Sequence, residues 1–371
     1  MIAPIKVAIV VASPRIVGGH SVQAERIRQG FAGDPTVAVS LVPIDPIPVA
    51  PFDRLLRIKY VRTVVTQLLY WPLLFRRLRH ADVVHVFSAS YWAFLLASLP
   101  AILVARLLGK PLLLNYHSGE APDHLQRSAL ARYVLRRLVD LTVVPSAFLR
   151  QVFASFDIPA TVIPNTVDTS RFRYRVRTPL RPNLLSTRTL DPLYNVTCTV
   201  RAFAVVQQRH PDATLTIVGG GSQLESLRAL AHQLSLRHVV FTGTVDPAEI
   251  HRYYDASDIY VQTPRLDNMP LSLIEAFAVG LPVVATRVGG VPAMLTDGVH
   301  GLLAPDDDAA AVAAGVLDIL SHPAQAQSRA AAARAQLSDY EWPVVRERWT
   351  RAYRTLMTPG MVASTAAAAR S

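Results

Sequence analysis

Two carboxylates and a helix start lie close together near residue 270. The segment reads Asp267-Asn268-Met269-Pro270-Leu271-Ser272-Leu273-Ile274-Glu275 and continues through apolar residues to Gly280. Pro270 suits the first helical position, where a missing N–H costs nothing, and Gly280 suits the end. The spacing therefore predicts a helix from Pro270 to about Val279. The free N–H groups and dipole at its start favour an anion such as a pyrophosphate. Glu275 would stand about 7.5 Å along the axis from Pro270. One acid before the helix and one inside it could thus bracket a sugar–diphosphate–ribose. A capped amphipathic helix with two ordinary acids fits the same residues.

Other residues able to do chemistry also follow apolar runs. Gly18-Gly19-His20 comes after Lys6–Ala12, and Asn115-Tyr116-His117-Ser118-Gly119-Glu120 after Pro111. Arg188 comes just after Asn183–Ser186. His117 could equally be a loop histidine with its hydrogen bonds met. Gly219-Gly220-Gly221 is a weak nucleotide signal alone, because Ser222-Gln223-Leu224-Glu225 reads as a capping box after a tight turn. Asn195-Val196-Thr197 is a glycosylation sequon, without meaning in a cytoplasmic chain. Cys198, the one cysteine of the chain, reads as a small core residue. It excludes a disulfide framework and a cysteine zinc cluster.

The elements that must position these residues alternate strand and helix. Strand patterns run Lys6–Ala12, Thr36–Val42, Val83–Phe87, Pro111–Tyr116, Leu141–Val144 and Thr161–Ile163. After a stretch rich in Arg and Pro they resume at Asn183–Ser186, Thr214–Val218, Val239–Thr242, Ile259–Gln262, Pro282–Ala285 and Gly301–Leu303. Near-continuous apolar strands alternating with helices imply parallel sheets covered on both faces. The fold class expected is α/β, two doubly wound Rossmann-like domains facing a central cleft, with ligands at the carboxyl ends of the strands. The boundaries read 1–168, a basic hinge 169–182, 183–341, a helix 342–358 and a tail 359–371 without a core-forming pattern.

The chain has 371 residues and a net charge of +11. The charge is uneven. Arg54 to Arg79 holds seven basic residues and no acid, and Arg171 to Arg181 holds five and no acid. The remainder sums to −1, so the body is near neutral. No reading module for nucleic acid accompanies the charge, so no nucleic-acid partner is expected. Leu55–Leu78 interleaves Arg and Lys with Tyr70, Trp71 and Phe75, which suits an anionic membrane surface along 54–80. A helix pair packed on the core with solvated arginines suits it too. Val86–Ala105 is uncharged over twenty residues and reads as strand, turn and buried helix, not as a span. The N-terminus reads as a first buried strand, not a signal peptide. The expected location is cytoplasmic, or peripheral at the inner face of a membrane.

The Asp267…Glu275 segment resembles the acid–seven residues–Glu signature of retaining GT-B glycosyltransferases of the family 4 type (glycosyl transferases group 1). Other motifs agree in order along almost the whole chain. Gly18-Gly19-His20 resembles the family's glycine-rich loop, and Asn115–Glu120 its acceptor-domain histidine loop. Val144-Pro145-Ser146, Ile163-Pro164-Asn165-Thr166-Val167-Asp168 with Phe172, and Arg188 have counterparts there. So do Val218–Ser222, Phe241-Thr242-Gly243, Val288–Pro292 and Asp297–Leu303. The resemblance implies an N-terminal acceptor domain, a C-terminal donor domain and a last helix, Trp342–Leu356, that crosses back.

The roles it implies are these. Glu275 accepts from the ribose, Asp267 contacts the donor sugar, and Arg188 clamps the diphosphate with help from Asn268, Met269 and Leu271. Gly18 and Gly19 admit the leaving phosphate, Gly219 and Gly243 line the donor side, and His117 orients the sugar or stabilises developing charge. His20, Gly119 and Glu120 face the acceptor. A nucleotide sugar is the donor substrate and a glycan or lipid the acceptor, with no cofactor and no metal. Asp306-Asp307-Asp308 is then a solvated loop and not a metal site. Two positions depart from the family pattern. Asp267 stands where Glu is usual, and Tyr194 stands where a Lys is usual. Either Tyr194, Asn195 or another Arg replaces that cation, or activity is weakened, or the donor differs. A nucleotide-sugar epimerase and a degenerate sugar-nucleotide or lipid-binding module remain as other readings.

Overall fold

The structure, a computed structural model, describes residues 3–13, 19–47 and 59–358. Gly18, Arg54, Arg57 and the tail 359–371 lie outside the described residues. Among the described residues twelve strands form two parallel sheets. The first holds β1 (Ile5–Val11), β2 (Val37–Pro43), β3 (Val83–Ser88), β4 (Leu112–Tyr116), β5 (Leu141–Val144) and β6 (Thr161–Val162), in the order β2-β1-β3-β4-β5-β6. The second holds β7 (Asn183–Thr187), β8 (Thr214–Val218), β9 (Val239–Gly243), β10 (Ile259–Gln262), β11 (Val283–Thr286) and β12 (Leu302–Ala304), in the order β12-β11-β10-β7-β8-β9.

The reason these runs become strands is visible in their burial. Every residue of β3, β4, β10 and β11 is buried, as a sheet covered on both faces requires. Side chains alternate between the faces. Ala8 and Val10 of β1 join one cluster with Tyr70, Leu74 and Leu78 of the helix Lys59–Leu78. Val7, Ile9 and Val11 join another with Ala24 and Ile27 of the helix Gly19–Gly30.

The chain divides into two units, Val167–Glu341 and the rest. The helix Trp342–Met357 belongs to the first unit. Its Trp342 Nε1 donates to the Gly30 carbonyl at 3.1 Å. Arg346 Nε reaches Asp34 at 2.7 Å, and the Tyr353 hydroxyl meets His85 Nδ1 at 3.0 Å. Val345, Trp349, Ala352, Tyr353 and Leu356 are buried on the first sheet. Each large apolar side chain among them contributes roughly 2 kcal/mol of burial, so this helix is part of the unit's core.

Three local expectations are corrected. The Arg171–Arg181 segment is not a solvated hinge throughout. Arg177 is 1% exposed, and its guanidinium donates to the carbonyls of Arg175 at 2.8 Å, Tyr254 at 3.2 Å, Ser257 at 3.3 Å, and Val279. Burial lowers its pKa to about 10, which leaves it charged at neutral pH. A buried cation is retained because helix-end carbonyls need donors and favour positive charge. The expected capping box at Ser222 does not form. Ser222 Oγ donates to Asp191 at 2.9 Å, and the helix starts at Leu224. Pro270 is the residue before the helix Leu271–Val279, with an extended ψ of 116°.

Candidate active site

In each sheet the chain builds outward from a central strand, then reverses. The reversal lies between β1 and β3 in the first sheet and between β7 and β10 in the second. In open parallel sheets ligands bind outside the carboxyl ends of the strands at such reversal points. Arg188 follows β7 and Asp267 follows β10, so both stand at the second unit's reversal point. Gly19 and His20 open the helix after β1, and His117 follows β4.

Arg188 and Asp267 form an ion pair through Nη2 and Oδ2, each side chain 12% exposed. Arg188 Nη1 also donates to Ser272 Oγ at 3.3 Å. Its Nε has no partner among the described residues. The guanidinium is thus pinned at two corners; its Nε hydrogen is buried, so a phosphate oxygen would be met by the remaining Nη hydrogens. Burial opposes its charge, yet the Asp267 carboxylate holds its pKa above the usual arginine value.

Tyr194 and Asn195 separate here. The Tyr194 ring lies 4.2 Å from the Arg188 guanidinium carbon, a cation–π contact. Asn195 turns away, donating to Asp307 at 2.9 Å. Its backbone is left-handed, φ 46°, a conformation asparagine tolerates. Of the two residues offered in place of the family's lysine, Tyr194 is the one that touches the clamp. Asp307 also pairs with Arg265 at 2.9 Å, and Asp308 caps the helix Ala309–Ser321. The aspartate run therefore ties loops together. Among the described residues no group of three acids, histidines or cysteines is arranged to hold a metal.

The helix Leu271–Val279 supplies the second carboxylate. Seven of its nine residues are buried; the two that are not, Leu271 and Glu275, are four apart on one face. Glu275 accepts from the Tyr254 hydroxyl at 2.8 Å. Asn268 and Met269 are buried in the turn before the helix. That turn is seated by a glycine, since a Cβ on Gly290 would fall 1.8 Å from the Asn268 oxygen. Gly219 acts similarly on the clamp: its Cβ would fall 1.9 Å from the Arg188 oxygen, where Arg188 N donates to Val218 O at 3.0 Å. The sequence marked these glycines, but only backbone contact explains them. Gly243 ends β9, and its carbonyl accepts from Gly219 N at 3.0 Å.

In the first unit, His20 and His117 meet edge to face at 5.2 Å, with Phe87 beside both. His117 N donates to Ser88 O at 3.1 Å. Gly119 lies in the turn that follows, and Glu120 is exposed at the start of the helix Ala121–Arg127. Behind them, His85 is fully buried and stacks on Phe87 at 5.0 Å. Burial lowers the pKa of His20 to about 4 and of His85 to about 3. Burial first, then the neighbouring His20 and His85, holds His117 well below the usual value. At neutral pH the cluster is uncharged, so His117 can exchange hydrogen bonds with a hydroxyl but offers no cation.

These shifts have a sign. The folded histidines stay neutral, while unfolded ones take up protons near pH 6.5. Their contribution is complete above that pH and is lost as pH falls from 6.5 towards 4. Fully buried His85 alone amounts to about 1.4 kcal/mol per pH unit there. We expect the melting temperature to fall by roughly 4–8 °C between pH 7 and pH 5. His85→Phe, which keeps the stacking, should flatten the fall. A melting temperature constant over that range contradicts the assignment.

Two doubly wound units, one with a clamped arginine and a half-open helix start at its reversal point, define the GT-B architecture of the glycosyltransferases. Residues 175–336 match the model for glycosyl transferases group 1, and residues 20–171 match Glycosyltransferase Family 4. A glycogen synthase of Mycobacterium tuberculosis is 32% identical over 289 residues, covering 73% of this chain and 68% of that protein. A GDP-mannose-dependent alpha-(1-6)-phosphatidylinositol monomannoside mannosyltransferase of Mycolicibacterium smegmatis is 32% identical over 238 residues, covering 57% and 62%. Among solved structures, Anabaena HepE in complex with UDP-glucose aligns with a TM-score of 0.75 at 18% identity, over 94% of this chain and 99% of that one. Sucrose-phosphate synthase from Thermosynechococcus elongatus gives 0.75 at 20%, over 95% and 99%. The chain belongs to the group 1, family 4 type of glycosyltransferase, and it is a glycosyltransferase.

Proposed function

We propose that this enzyme transfers a sugar from a nucleotide-sugar donor to a glycan or lipid acceptor, with retention of anomeric configuration. The carrying observation is that Arg188, pinned by Asp267 and Ser272 with Nη hydrogens left over, and Glu275, half-buried on its helix face, stand in the same unit. A diphosphate needs the first and a ribose diol the second. In this reading Arg188 and the N–H groups near Asn268, Met269 and Leu271 hold the diphosphate and offset the charge that grows on the leaving group. Asp267 contacts the donor sugar and keeps Arg188 aimed. Neutral His117 orients the sugar. The leaving phosphate takes the acceptor proton in a front-face displacement. Gly19 admits the leaving phosphate, and His20, Gly119 and Glu120 serve the acceptor, without a metal or cofactor. Support comes from relatives whose names specify GDP-mannose and from a similar fold seen with UDP-glucose.

A thermal-shift panel of UDP, GDP and ADP sugars tests this. A tight donor at about 100 times its Kd stabilises the protein by about 2.7 kcal/mol, a rise of several degrees. A panel with no response would refute the donor reading.

The lipid side of the proposal rests on one surface. Among the described residues no helix is long and apolar enough to cross a membrane. The helix Lys59–Leu78 buries Tyr70, Leu74 and Leu78, yet leaves Val64 at 60% and Leu68 at 69% exposure, with Phe75 on the same stripe. Gln67 donates to Leu96 O at 2.9 Å, which brings exposed Leu96 alongside, and Trp92 nearby is 74% exposed. Arg62, Arg76, Arg77 and Arg79 are exposed as well. Apolar side chains amid arginines suit an anionic bilayer at the inner face of a membrane. Sedimentation with phosphatidylglycerol vesicles should retain the protein, and Leu68→Glu with Trp92→Glu should release it. Equal retention on neutral vesicles would argue against this surface.

A further inference from the structure

Beneath the donor residues lies a polar core that the proposed chemistry does not use. From Glu275, the Tyr254 hydroxyl at 2.8 Å leads to Thr187 Oγ1 at 2.6 Å. Thr187 Oγ1 meets the Tyr260 hydroxyl at 3.2 Å, and that hydroxyl lies 3.5 Å from Gln262 Oε1. Gln262 Oε1 accepts from Ser272 Oγ at 3.2 Å, and Ser272 Oγ accepts from Arg188. Arg188 closes the line on Asp267. Tyr254 donates to Glu275 and Tyr260 to Gln262, so the single Thr187 proton serves one tyrosine at a time within the line of contacts that joins the two carboxylates.

Its middle is dry. Tyr254, Tyr260 and Gln262 are 0% exposed, Thr187 6% and Ser272 7%. A buried tyrosine tip needs only one partner, so packing alone does not require a path of this length. Tyr254 packs edge to face on Phe172 at 5.6 Å and stacks on Tyr260 at 5.7 Å, so its ring is held whatever its hydroxyl does. Thr187 has one proton for two tyrosine hydroxyls, so a stronger bond to one weakens its bond to the other. In a low-dielectric interior such bonds polarise one another.

We propose that Tyr254 and Tyr260 are positioning residues that couple Glu275 to the Arg188–Asp267 pair, so that a nucleoside at one end strengthens diphosphate binding at the other. The inference rests on the donor reading above. A ribose hydroxyl donating to Glu275 weakens the carboxylate's draw on Tyr254, which shifts the shared Thr187 proton towards Tyr260, and Tyr260 and Ser272 share Gln262 Oε1 as acceptor. Ser272 and Asp267 together set where the Arg188 fork points.

Linkage makes the coupling measurable with halves of the ligand. Affinity for inorganic pyrophosphate is measured by titration, with and without saturating uridine, guanosine or adenosine. In the wild type one nucleoside should tighten pyrophosphate binding by about fivefold to tenfold. In Tyr254→Phe the enhancement should vanish, while each half alone binds within about twofold of the wild type. Tyr260→Phe should do the same and serves should the first variant fail to fold. Equal enhancement in the wild type and both variants overturns the coupling, as does a wild type without enhancement. If neither pyrophosphate nor any nucleoside binds the wild type, the donor reading itself fails and the coupling with it.

Discussion

Arg188→Ala is expected to lower kcat/KM for the donor by about a thousandfold, the scale for removing a charge-stabilising donor from a reacting centre. It should also lower the melting temperature. The Asp267 carboxylate is 12% exposed and ion-paired to Arg188; stripped of that partner, a buried charge costs about 3–5 kcal/mol. The two effects can be separated. Arg188→Ala combined with Asp267→Ala removes the orphaned charge, so the melting temperature should recover while activity does not. Arg188→Lys should fall between, because a single ammonium cannot reach Asp267, Ser272 and a phosphate from one planar fork. Activity within tenfold of the wild type in Arg188→Ala would remove this residue from the donor site.

Glu275→Ala is expected to abolish measurable donor binding, a loss of at least about a hundredfold. Two hydrogen bonds from ribose hydroxyls to a carboxylate are each worth about 1.5–3 kcal/mol. The fold should tolerate the change. Glu275 is not fully buried, and the Tyr254 hydroxyl already lies 3.3 Å from the Ser272 carbonyl, an alternative acceptor. Glu275→Gln keeps an acceptor and should lose roughly tenfold. Calorimetric titration with the responding nucleotide sugar reads all three proteins. Unchanged affinity in Glu275→Ala would assign the ribose to another residue.

What could be read from the sequence follows from which physical signals are local. Each strand fell within a residue of its apolar run, since a strand covered on both faces has to be apolar at nearly every position. The helix after Asp267 was legible from Pro270 and Gly280, because chain ends of helices demand particular residues. Arg177 was not legible. Five arginines without an acid nearby look solvated, and only the carbonyls of Tyr254, Ser257 and Val279, distant in sequence, make burial tolerable. The polar path was hidden for a related reason. Tyr254 and Tyr260 resemble ordinary core aromatics, and what distinguishes them is where their hydroxyls end. Tyr194 was noticed as a departure, but its stacking on Arg188 needed the 3-10 turn Pro192–Tyr194 to bring it there.

The placement of Trp342–Met357 has a consequence for synthesis. The first unit's sheet is finished by Thr166, yet the helix that covers one of its faces begins 176 residues later. At about 5–20 residues per second, a ribosome takes roughly ten to thirty-five seconds to bridge that gap. During the wait Val7, Ile9, Val83 and Phe87 have no Trp349 or Tyr353 to pack against. The second unit, whose sequence is uninterrupted from Val167 to Glu341, can fold first. The second unit can therefore be complete before the first, and the nascent chain carries an apolar face of its first sheet without that cover until Trp342–Met357 is made.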